Sequence, residues 1–260
     1  MKQIINPARA RLEAGEVSVG VGLRISRTVD IAKAMKTAGY DWLFIDLEHS
    51  PISIETAVNI SVAALDAGIS PLVRVPWMEH WIATRVLDGG AMGIVMPHVD
   101  TAEQAREVVD RLKYPPIGHR SVAGPNAIFD FDKVDVGDSI AAINASQLIT
   151  VMIETPEAVE NADEIAAVDG VDVLLIGTGD LTTEMGIPGQ AGHERIVAAY
   201  ETVIAACEKQ GKWAGMGGAY NEPDLERYIG MGVRMVLASN DLGLMMQAAG
   251  QMTSFVKGCA

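Results

Sequence analysis

The sequence is poor in cysteine, in aromatic residues and in long hydrophobic runs. Its 260 residues include two cysteines, Cys207 and Cys259, which argues against a disulfide framework and indicates a reducing compartment. No apolar run reaches the roughly 18 residues that span a bilayer. Residues 1–7 lack the charged and then apolar pattern of a signal peptide. These absences predict a cytoplasmic protein.

Positive charge is also scarce. Lys and Arg number 20 against 34 Asp and Glu, which gives a formal net charge of -14 at pH 7. Nucleic acids and anionic membranes require clustered basic residues, so neither is an expected partner. The charge does not exclude an anionic small molecule, because a site inside an acidic protein can be locally positive.

Apolar residues, by contrast, make up 49% of the chain, which is enough for a sizeable core. Short apolar runs predict strands at 17–23, 42–46, 71–75, 93–96, 148–153, 171–176, 213–216 and 234–238. Amphipathic stretches between them predict helices at 29–38, 54–67, 101–112, 156–168, 194–210 and 222–231. Eight strands alternating with helices predict an α/β fold, a (β/α)8 TIM barrel forming a single domain over residues 1–260. A doubly wound open sheet is the alternative.

The segment 114–147 interrupts this alternation. It is rich in proline and glycine and shows little periodicity. Loops of this length in compact domains are usually functional or disordered. We expect the segment to extend over the mouth of the barrel.

Charged side chains follow four of the predicted strands. These residues are Asp46 with His49 after the second strand, Arg74 in the third, Glu154 after the fifth and Asp180 after the sixth. In a parallel barrel the carboxyl ends of all strands meet at one face, which carries the active site. A polar residue at a single strand end can simply meet solvent. A set of four such ends predicts an active site, since buried charges need a partner or a metal.

Glu154 and Asp180 come from neighbouring strands and can converge. Two carboxylates with open positions suit Mg²⁺ or Mn²⁺, which prefer oxygen ligands. The alternative for Asp180 is a helix N-cap. The run Gly177-Thr178-Gly179 offers backbone N–H groups that can bind a carboxylate or phosphate oxygen.

His49 lies three residues after Asp46, and such a pair can form an acid–base dyad in which the carboxylate fixes the ring. Arg74 can hold the oxygen of a developing enolate. The alternative for Arg74 is an ion pair with Asp46 or Glu48. Among the other histidines, which we interpret as structural, His98 is the main exception because it follows a strand.

Residues 40–51, Tyr-Asp-Trp-Leu-Phe-Ile-Asp-Leu-Glu-His-Ser-Pro, resemble the signature of the HpcH/HpaI aldolase family. This family comprises metal-dependent class II pyruvate aldolases, such as those acting on 2,4-dihydroxyhept-2-ene-1,7-dioate or 2-dehydro-3-deoxyglucarate. The resemblance continues in order at 73–77, 86–91, 113–121, 153–155, 169–172 and 176–181. It therefore covers nearly the whole chain.

The resemblance implies a function for most of the residues at the strand ends. Glu154 and Asp180 would bind Mg²⁺ or Mn²⁺, with Co²⁺ as a further possibility. The amides of Gly177, Thr178 and Gly179 would hold the pyruvate carboxylate. Arg74 would contact the keto oxygen, and His49, oriented by Asp46, would carry out acid–base catalysis through a metal-bound water.

The resemblance also implies features beyond this central set. Leu23 and Arg24 would lie on the aldehyde side, where Arg24 could attract an anionic aldehyde or have a surface role. Asp88 would lie near a neighbouring subunit's site. A domain-swapped C-terminal helix and a homo-oligomer, a trimer or a homohexamer, are implied as well.

Two positions depart from the family pattern. Met152 stands where the family usually has Gln, which removes a polar contact near the metal. The loop 177–180 reads Gly-Thr-Gly-Asp instead of Gly-Pro-Ala-Asp, so we expect it to be more flexible while keeping its backbone donors.

Together these features predict a class II aldolase. It would join pyruvate to an aldehyde, or cleave 4-hydroxy-2-oxo acids, through a metal-bound pyruvate enolate. No lysine follows the second to sixth strands directly, which argues against a Schiff-base aldolase. The alternatives are a citrate-lyase-like CoA-ester lyase, for which no basic patch is evident, an oxaloacetate decarboxylase, or a non-catalytic binding protein.

Overall fold

Parallel strand pairing closes the sheet into a barrel in the computed structural model, which describes residues 4–259. Each strand pairs with the next one in sequence, and the first pairs with the last. The strands are β1 (Ser18–Leu23), β2 (Trp42–Asp46), β3 (Ser70–Arg74), β4 (Gly93–Met96), β5 (Leu148–Ile153), β6 (Val173–Gly177), β7 (Trp213–Gly217) and β8 (Met235–Asn240). The predicted (β/α)8 barrel is confirmed, with strand ends shifted by one or two residues.

Helices surround the barrel and close its N-terminal end. They are α1 (Pro7–Glu13), α2 (Asp30–Thr37), α3 (Ile54–Ala67), α4 (His80–Asp88), α5 (Ala102–Leu112), α6 (Val136–Ser146), α7 (Pro156–Glu160), α8 (Ala162–Ala166), α9 (Thr178–Glu184), α10 (Glu194–Gln210), α11 (Glu222–Met231) and α12 (Asp241–Gly258), with a short 3₁₀ helix at Ala127–Phe129. The helix predicted at 156–168 is divided at Asn161. Within the described residues, no helix is both long enough and apolar enough to cross a bilayer.

The N-terminal end of the barrel is sealed. Ala8 and Leu12 of α1 belong to the same buried cluster as the inward-facing Trp42. The indole ring fits because β1 has Gly20 beside it, where an added Cβ would lie 2.1 Å from the ring. The interior is therefore open only at the carboxyl ends of the strands.

The segment between α5 and β5 does not cover the barrel mouth, so that prediction is wrong. It begins at the C-terminal end of α5 and returns to the N-terminal end of β5, and both lie at the sealed face. The buried Lys113 holds it there, donating from Nζ to the carbonyl oxygens of Asn144 and Gln147 at 2.9 Å each. Its helix α6 was not predicted.

Candidate active site

A cavity of about 150 Å³ lies at the open end of the barrel. Side chains from successive strand ends line it, among them Arg24, Phe44, Asp46, Arg74, Met152 and Asp180. Glycines 22, 177, 179, 217 and 218 widen it. The barrel thus brings together several of the charged residues that the sequence predicted.

Arg74 is held rigidly in this cavity by two carboxylates. Its Nε and Nη2 donate to Oδ1 and Oδ2 of Asp46 at 3.0 and 2.7 Å, and its Nη1 lies 3.2 Å from Oε2 of Glu48. The guanidinium also stands 5.0 Å from the centroid of the Phe44 ring. The ion pair that the sequence left open as an alternative is present. It leaves outer N–H groups of Arg74 for a ligand, because a guanidinium has five donors.

The Arg74–Asp46 pair remains charged at neutral pH. Burial would raise the pKa of Asp46, but the hydrogen bonds and charge of Arg74 outweigh it and lower that pKa below its usual value. Burial would likewise lower the pKa of Arg74, and Asp46 more than compensates. The cavity therefore contains a fixed cation whose orientation needs no rearrangement.

Glu154 is a buried carboxylate, only 1% exposed, directly after β5. Its Oε2 accepts the backbone N–H of His98 at 2.8 Å and lies 3.3 Å from Nδ1 of the same residue. Its Oε1 lies against Gly177, where an added Cβ would approach to 2.6 Å. Glycine at this strand end is therefore required for the observed position of the carboxylate.

Glu154 and Asp180 fit a hard divalent cation. Burial, and to a smaller extent the charge of Asp180, raise the pKa of Glu154 to about 7 although the N–H of His98 opposes this. Two carboxylates close enough to repel each other suit Mg²⁺ or Mn²⁺. No group of three or more His, Cys, Asp and Glu within residues 4–259 could hold a metal by itself. Water and substrate would therefore complete the coordination.

The run 177–179 joins the last residue of β6 directly to the first turn of α9 and is not a free loop. The N–H groups of Thr178 and Gly179 lie in the first turn, where no preceding turn accepts them. Gly218, at φ +84°, keeps the space before them open, since an added Cβ would lie 2.8 Å from the nitrogen of Gly179. These amides can bind one carboxylate.

Side-chain hydrogen bonds anchor this turn. The hydroxyls of Thr178 and Tyr200 are 2.7 Å apart in the core, and Oγ1 of Thr182 donates to the carbonyl of Gly179 at 2.8 Å. These contacts tie the turn to the core, and the greater flexibility expected of the Gly-Thr-Gly-Asp loop stays a prediction. Asp180 lies inside the first turn of α9, so it is not the N-cap that the sequence allowed.

The predicted contact between the Asp46 carboxylate and the His49 ring is wrong. Asp46 accepts the backbone N–H groups of Glu48 and His49 at 3.0 and 3.1 Å, and Arg74 engages both of its oxygens. The ring, 52% exposed, has its Nε2 3.8 Å from Oε2 of Glu48. Asp46 thus orients the backbone, and Glu48 is the carboxylate nearest the ring.

The two residues predicted on the aldehyde side have different positions. Arg24 lines the cavity. Leu23 is fully buried in the layer between strands and helices, so its predicted place at the substrate is wrong. The physical reason is the alternation of side chains along β1, which turns Gly22 and Arg24 inward.

Asp88 lies far from the cavity in this chain. It is the last residue of α4, which runs from the open face of the barrel towards the sealed one. There its Oδ1 accepts from Nη2 of Arg120 at 2.5 Å. Within one chain the structure therefore does not bring Asp88 to the other predicted site residues.

Several cavity residues were missed in the sequence, among them Gly218, Tyr220 and Asn240. Gly218 and Tyr220 follow β7, and Asn240 ends β8. A search of all eight strand ends, instead of the charged ones only, would have found Gly218 and Asn240. Nothing in the sequence distinguished Tyr220.

Comparisons with known proteins agree with this architecture. A family model described as HpcH/HpaI aldolase/citrate lyase matches residues 25–248. A 4-hydroxy-4-methyl-2-oxoglutarate aldolase of Hapsidospora irregularis is 40% identical over 253 residues, covering 94% of this chain and 93% of that protein. A 2-keto-3-deoxy-L-rhamnonate aldolase of Escherichia coli K12 is 35% identical over 254 residues, covering 97% and 93%. The solved structure of an HpcH/HpaI aldolase from Desulfitobacterium hafniense DCB-2 matches with a TM-score of 0.91 at 33% identity, over 96% of each chain.

Proposed function

Because the chain belongs to the HpcH/HpaI aldolase/citrate lyase family and is an aldolase, we propose that it makes and cleaves 4-hydroxy-2-oxo acids, with the enolate of pyruvate as nucleophile. This is the reaction of an aldehyde-lyase. One observation carries the proposal: the carboxylates of Glu154 and Asp180, the amides of Thr178 and Gly179, and the guanidinium of Arg74 meet at one end of the barrel. A cation site, an anion site and a fixed positive charge are what a 2-oxo acid requires.

We assign Glu154 and Asp180 to a divalent cation, Mg²⁺ or Mn²⁺, with Co²⁺ as a substitute. When bound, the cation supplies Lewis-acid stabilisation of negative charge at the keto oxygen. The backbone N–H of His98 fixes the Glu154 carboxylate in advance. Met152, in the position of the usual glutamine, lines the cavity with a thioether. It therefore cannot make the hydrogen bonds that a glutamine amide would make there.

Pyruvate would bind through its two oxygen-bearing ends. The amides of Thr178 and Gly179 would hold the carboxylate. Gly177, at the end of β6, has no side chain that would block the approach of the carboxylate to them. The outer N–H groups of Arg74 would face the keto oxygen and stabilise the charge that develops there as the enolate forms. Asp46 and Glu48 hold the guanidinium in place, so this stabilisation costs little reorganisation.

We assign proton transfer to His49, whose backbone carbonyl accepts a hydrogen bond from the cavity residue Arg24. An imidazole can both accept and return a proton. The ring is half exposed, and its Nε2 lies 3.8 Å from Oε2 of Glu48. Asp46 supports this arrangement through the backbone N–H of His49.

A cleavage assay tests the proposal. The enzyme is stripped with EDTA and then given Mg²⁺, Mn²⁺ or Co²⁺. We expect it to release pyruvate from 4-hydroxy-4-methyl-2-oxoglutarate or another 4-hydroxy-2-oxo acid. The pyruvate is measured by coupling to lactate dehydrogenase and the oxidation of NADH. The EDTA-treated enzyme should be inactive until a metal is restored. Equal rates with and without metal would contradict the cation site.

Substitution of Gly218 tests the carboxylate site. Gly218→Ala places a Cβ 2.8 Å from the nitrogen of Gly179. We expect the KM for pyruvate to rise at least about tenfold, because the added methyl group removes one charge-assisted hydrogen bond to the carboxylate. Gly189→Ala is the matched control, since Gly189 also has positive φ, +74°, with open space around it. Both variants should lose about 1–2 kcal/mol of stability through backbone strain. An unchanged KM in Gly218→Ala would contradict the assignment.

We further propose that α12 packs against a neighbouring copy of the chain, in a trimer or hexamer with an exchanged C-terminal helix. None of its residues is buried, although it carries Leu242, Met245, Met246, Met252 and Phe255. An exposed apolar surface of this kind marks an interface. In such an assembly Asp88, from the sealed face of one barrel, could reach the site of another copy.

Sedimentation tests the assembly. Phe255 is 71% and Met246 61% exposed in the single chain, and we expect Phe255→Glu and Met246→Glu to dissociate an oligomer. Gln247→Glu and Gln251→Glu, on the same helix, are the controls and should leave it intact. A monomeric wild-type protein at micromolar concentration would contradict the proposal.

We place the reaction in the cytoplasm. Both cysteines are free thiols, Cys207 buried and Cys259 exposed, which is typical of a reducing compartment.

A further inference from the structure

Arg24 occupies a fixed place at the mouth of the cavity. It follows β1 directly, and its backbone N–H donates to Oδ1 of Asp241 at 2.9 Å. The other oxygen of Asp241 accepts the N–H groups of Ile25 and Ser26 at 3.1 and 2.8 Å. The turn that carries Arg24 is therefore pinned, and its side chain lines the cavity.

The charge of Arg24 is unmatched. Among residues 4–259, no carboxylate lies within 4 Å of its guanidinium, whose hydrogen bond to protein runs from Nη2 to the carbonyl oxygen of His49 at 3.1 Å. The other arginine in this cavity, Arg74, is by contrast ion-paired with Asp46 and Glu48. In a chain of net charge -14, an unpaired cation beside the site is a place for an anion.

The wall near Arg24 adds polar groups and space. Asn240 uses its Oδ1 to accept the N–H of Gly243 at 2.9 Å, which leaves its Nδ2 as a donor. Gly22 lies beside it, and an added Cβ there would be 3.1 Å from the Cβ of Asn240. The hydroxyl of Tyr220 is within electrostatic reach of both Arg24 and Arg74, although burial raises the pKa of Tyr220 overall.

We propose that the acceptor in the aldol addition is a carbonyl compound that carries a carboxylate, and that Arg24 binds this carboxylate. The inference rests on the proposed function, since it names the second substrate of that same site. A guanidinium and a carboxylate match in geometry as well as in charge. Arg27 gives no second cation at the cavity, because it is not among the residues that line it, and its Nη1 donates to the carbonyls of Arg24 and Ser26 outside it. One unpaired cation suits a singly charged carboxylate better than a phosphate dianion.

The reaction is balanced without any further reagent. Pyruvate loses a methyl proton, and its methyl carbon forms a bond to the carbonyl carbon of the acceptor. The electron pair of the acceptor's C=O bond moves to its oxygen, which takes up a proton. The carboxylate held by Arg24 does not react, so Arg24 sets which acceptor is used.

A pair of acceptors of similar size tests the inference. Glyoxylate carries a carboxylate where glycolaldehyde carries a neutral CH₂OH group, and the ratio of their kcat/KM values is measured with pyruvate as nucleophile. Glyoxylate is intrinsically more reactive, so the change of the ratio on mutation is the readout. We expect Arg24→Gln to lower the ratio about 10- to 100-fold, Arg24→Lys to keep most of it, and Arg24→Glu to lower it further.

Arg27→Gln is the matched control. Arg27 is an exposed arginine three residues away that is not part of the cavity lining, so its removal should leave the ratio unchanged. An Arg24→Gln variant that folds with the wild-type melting temperature and keeps the wild-type ratio would overturn the inference, as would an equal loss in Arg27→Gln.

Failure of this inference is distinguishable from failure of the proposed function. If the wild-type enzyme exchanges the methyl protons of pyruvate only with metal, the proposed function stands. If the acceptor ratio is then unchanged in Arg24→Gln, the inference about Arg24 alone is contradicted. Wild-type enzyme without such exchange contradicts the function itself and the inference with it.

Discussion

Glu154→Gln is expected to abolish aldol cleavage and, in the metal-free protein, to increase stability. Removal of one of two carboxylate ligands should lower kcat/KM by about 1000-fold or more, because several kcal/mol of charge stabilisation depend on the cation. The stability gain has a different cause. A buried carboxylate without a cation is unfavourable when ionised, and the isosteric amide is neutral at every pH.

The pH dependence of this gain follows from the sign of the pKa shift. Burial first, and then the charge of Asp180, raise the pKa of Glu154 from 4.5 to about 7. The folded state thus binds the proton more tightly than the unfolded state, and the stability so gained is full below pH 4.5 and is lost as the pH rises through 7. Compared with wild type, the variant should therefore gain less than about 1 kcal/mol at pH 5 and about 3 kcal/mol at pH 8.

Thermal or urea unfolding at pH 5 and pH 8, with EDTA and then with Mg²⁺, measures both effects. Mg²⁺ should stabilise the wild type and not the variant. Glu160→Gln, at an exposed glutamate at the end of α7, is the control and should follow the wild type. A variant less stable than the metal-free wild type at pH 8, or one that still responds to Mg²⁺, would contradict the role of Glu154.

Removal of Arg74 is expected to affect both activity and folding. Arg74→Met should lower kcat/KM by about 100- to 1000-fold, as loss of a preorganised donor to a developing oxyanion does. It should also destabilise the protein by about 3 kcal/mol, because it leaves the buried Asp46 without its counter-charge. Arg74→Lys keeps the charge but cannot bridge both oxygens of Asp46, so it should be intermediate.

A double variant separates the two roles. In Arg74→Met/Asp46→Asn the carboxylate that lost its partner is neutral, so most of the lost stability should return while activity stays low. The free energy of unfolding from urea titration and the steady-state rate give the two readouts. Recovery of activity along with stability would contradict a direct role for Arg74 at the substrate.

The sequence predicted the site through residue types that are unusual at their positions. Asp46, Arg74, Glu154 and Asp180 stand directly at or after buried strands, where a charge requires a function or a partner. The barrel places all strand ends on one face, so the convergence of these residues followed from the topology alone. Gly218 carried no such signal, because its function is to leave space.

The wrong predictions each have a physical reason. The spacing of Asp46 and His49 predicts a side-chain pair, but Arg74 from the neighbouring strand donates to both oxygens of the Asp46 carboxylate. The resemblance implies that Leu23 lies at the substrate, but the alternation of side chains along β1 turns it outward. The proline- and glycine-rich segment 114–147 predicts a cover over the mouth, but a connection from helix to strand runs at the opposite face.

Helices α4 and α12 were missed for different reasons. Helix α12 carries apolar residues on a helix that is not buried in the single chain, so no one-sided pattern marks it. Helix α4 does bury one side, with Ala83, Val86 and Leu87, but it begins in the polar and aromatic run after β3, where the sequence gives no clear start.

Exchange of the methyl protons of pyruvate isolates the formation of the enolate, since it needs no acceptor. The protein is incubated with pyruvate in D₂O, after EDTA treatment and again after Mg²⁺ is restored, and the methyl signal is followed by NMR. We expect loss of the signal only with metal present, and no loss in Glu154→Gln under either condition. Exchange that is equally fast in the EDTA-treated enzyme, or no exchange with Mg²⁺, Mn²⁺ or Co²⁺, would contradict it.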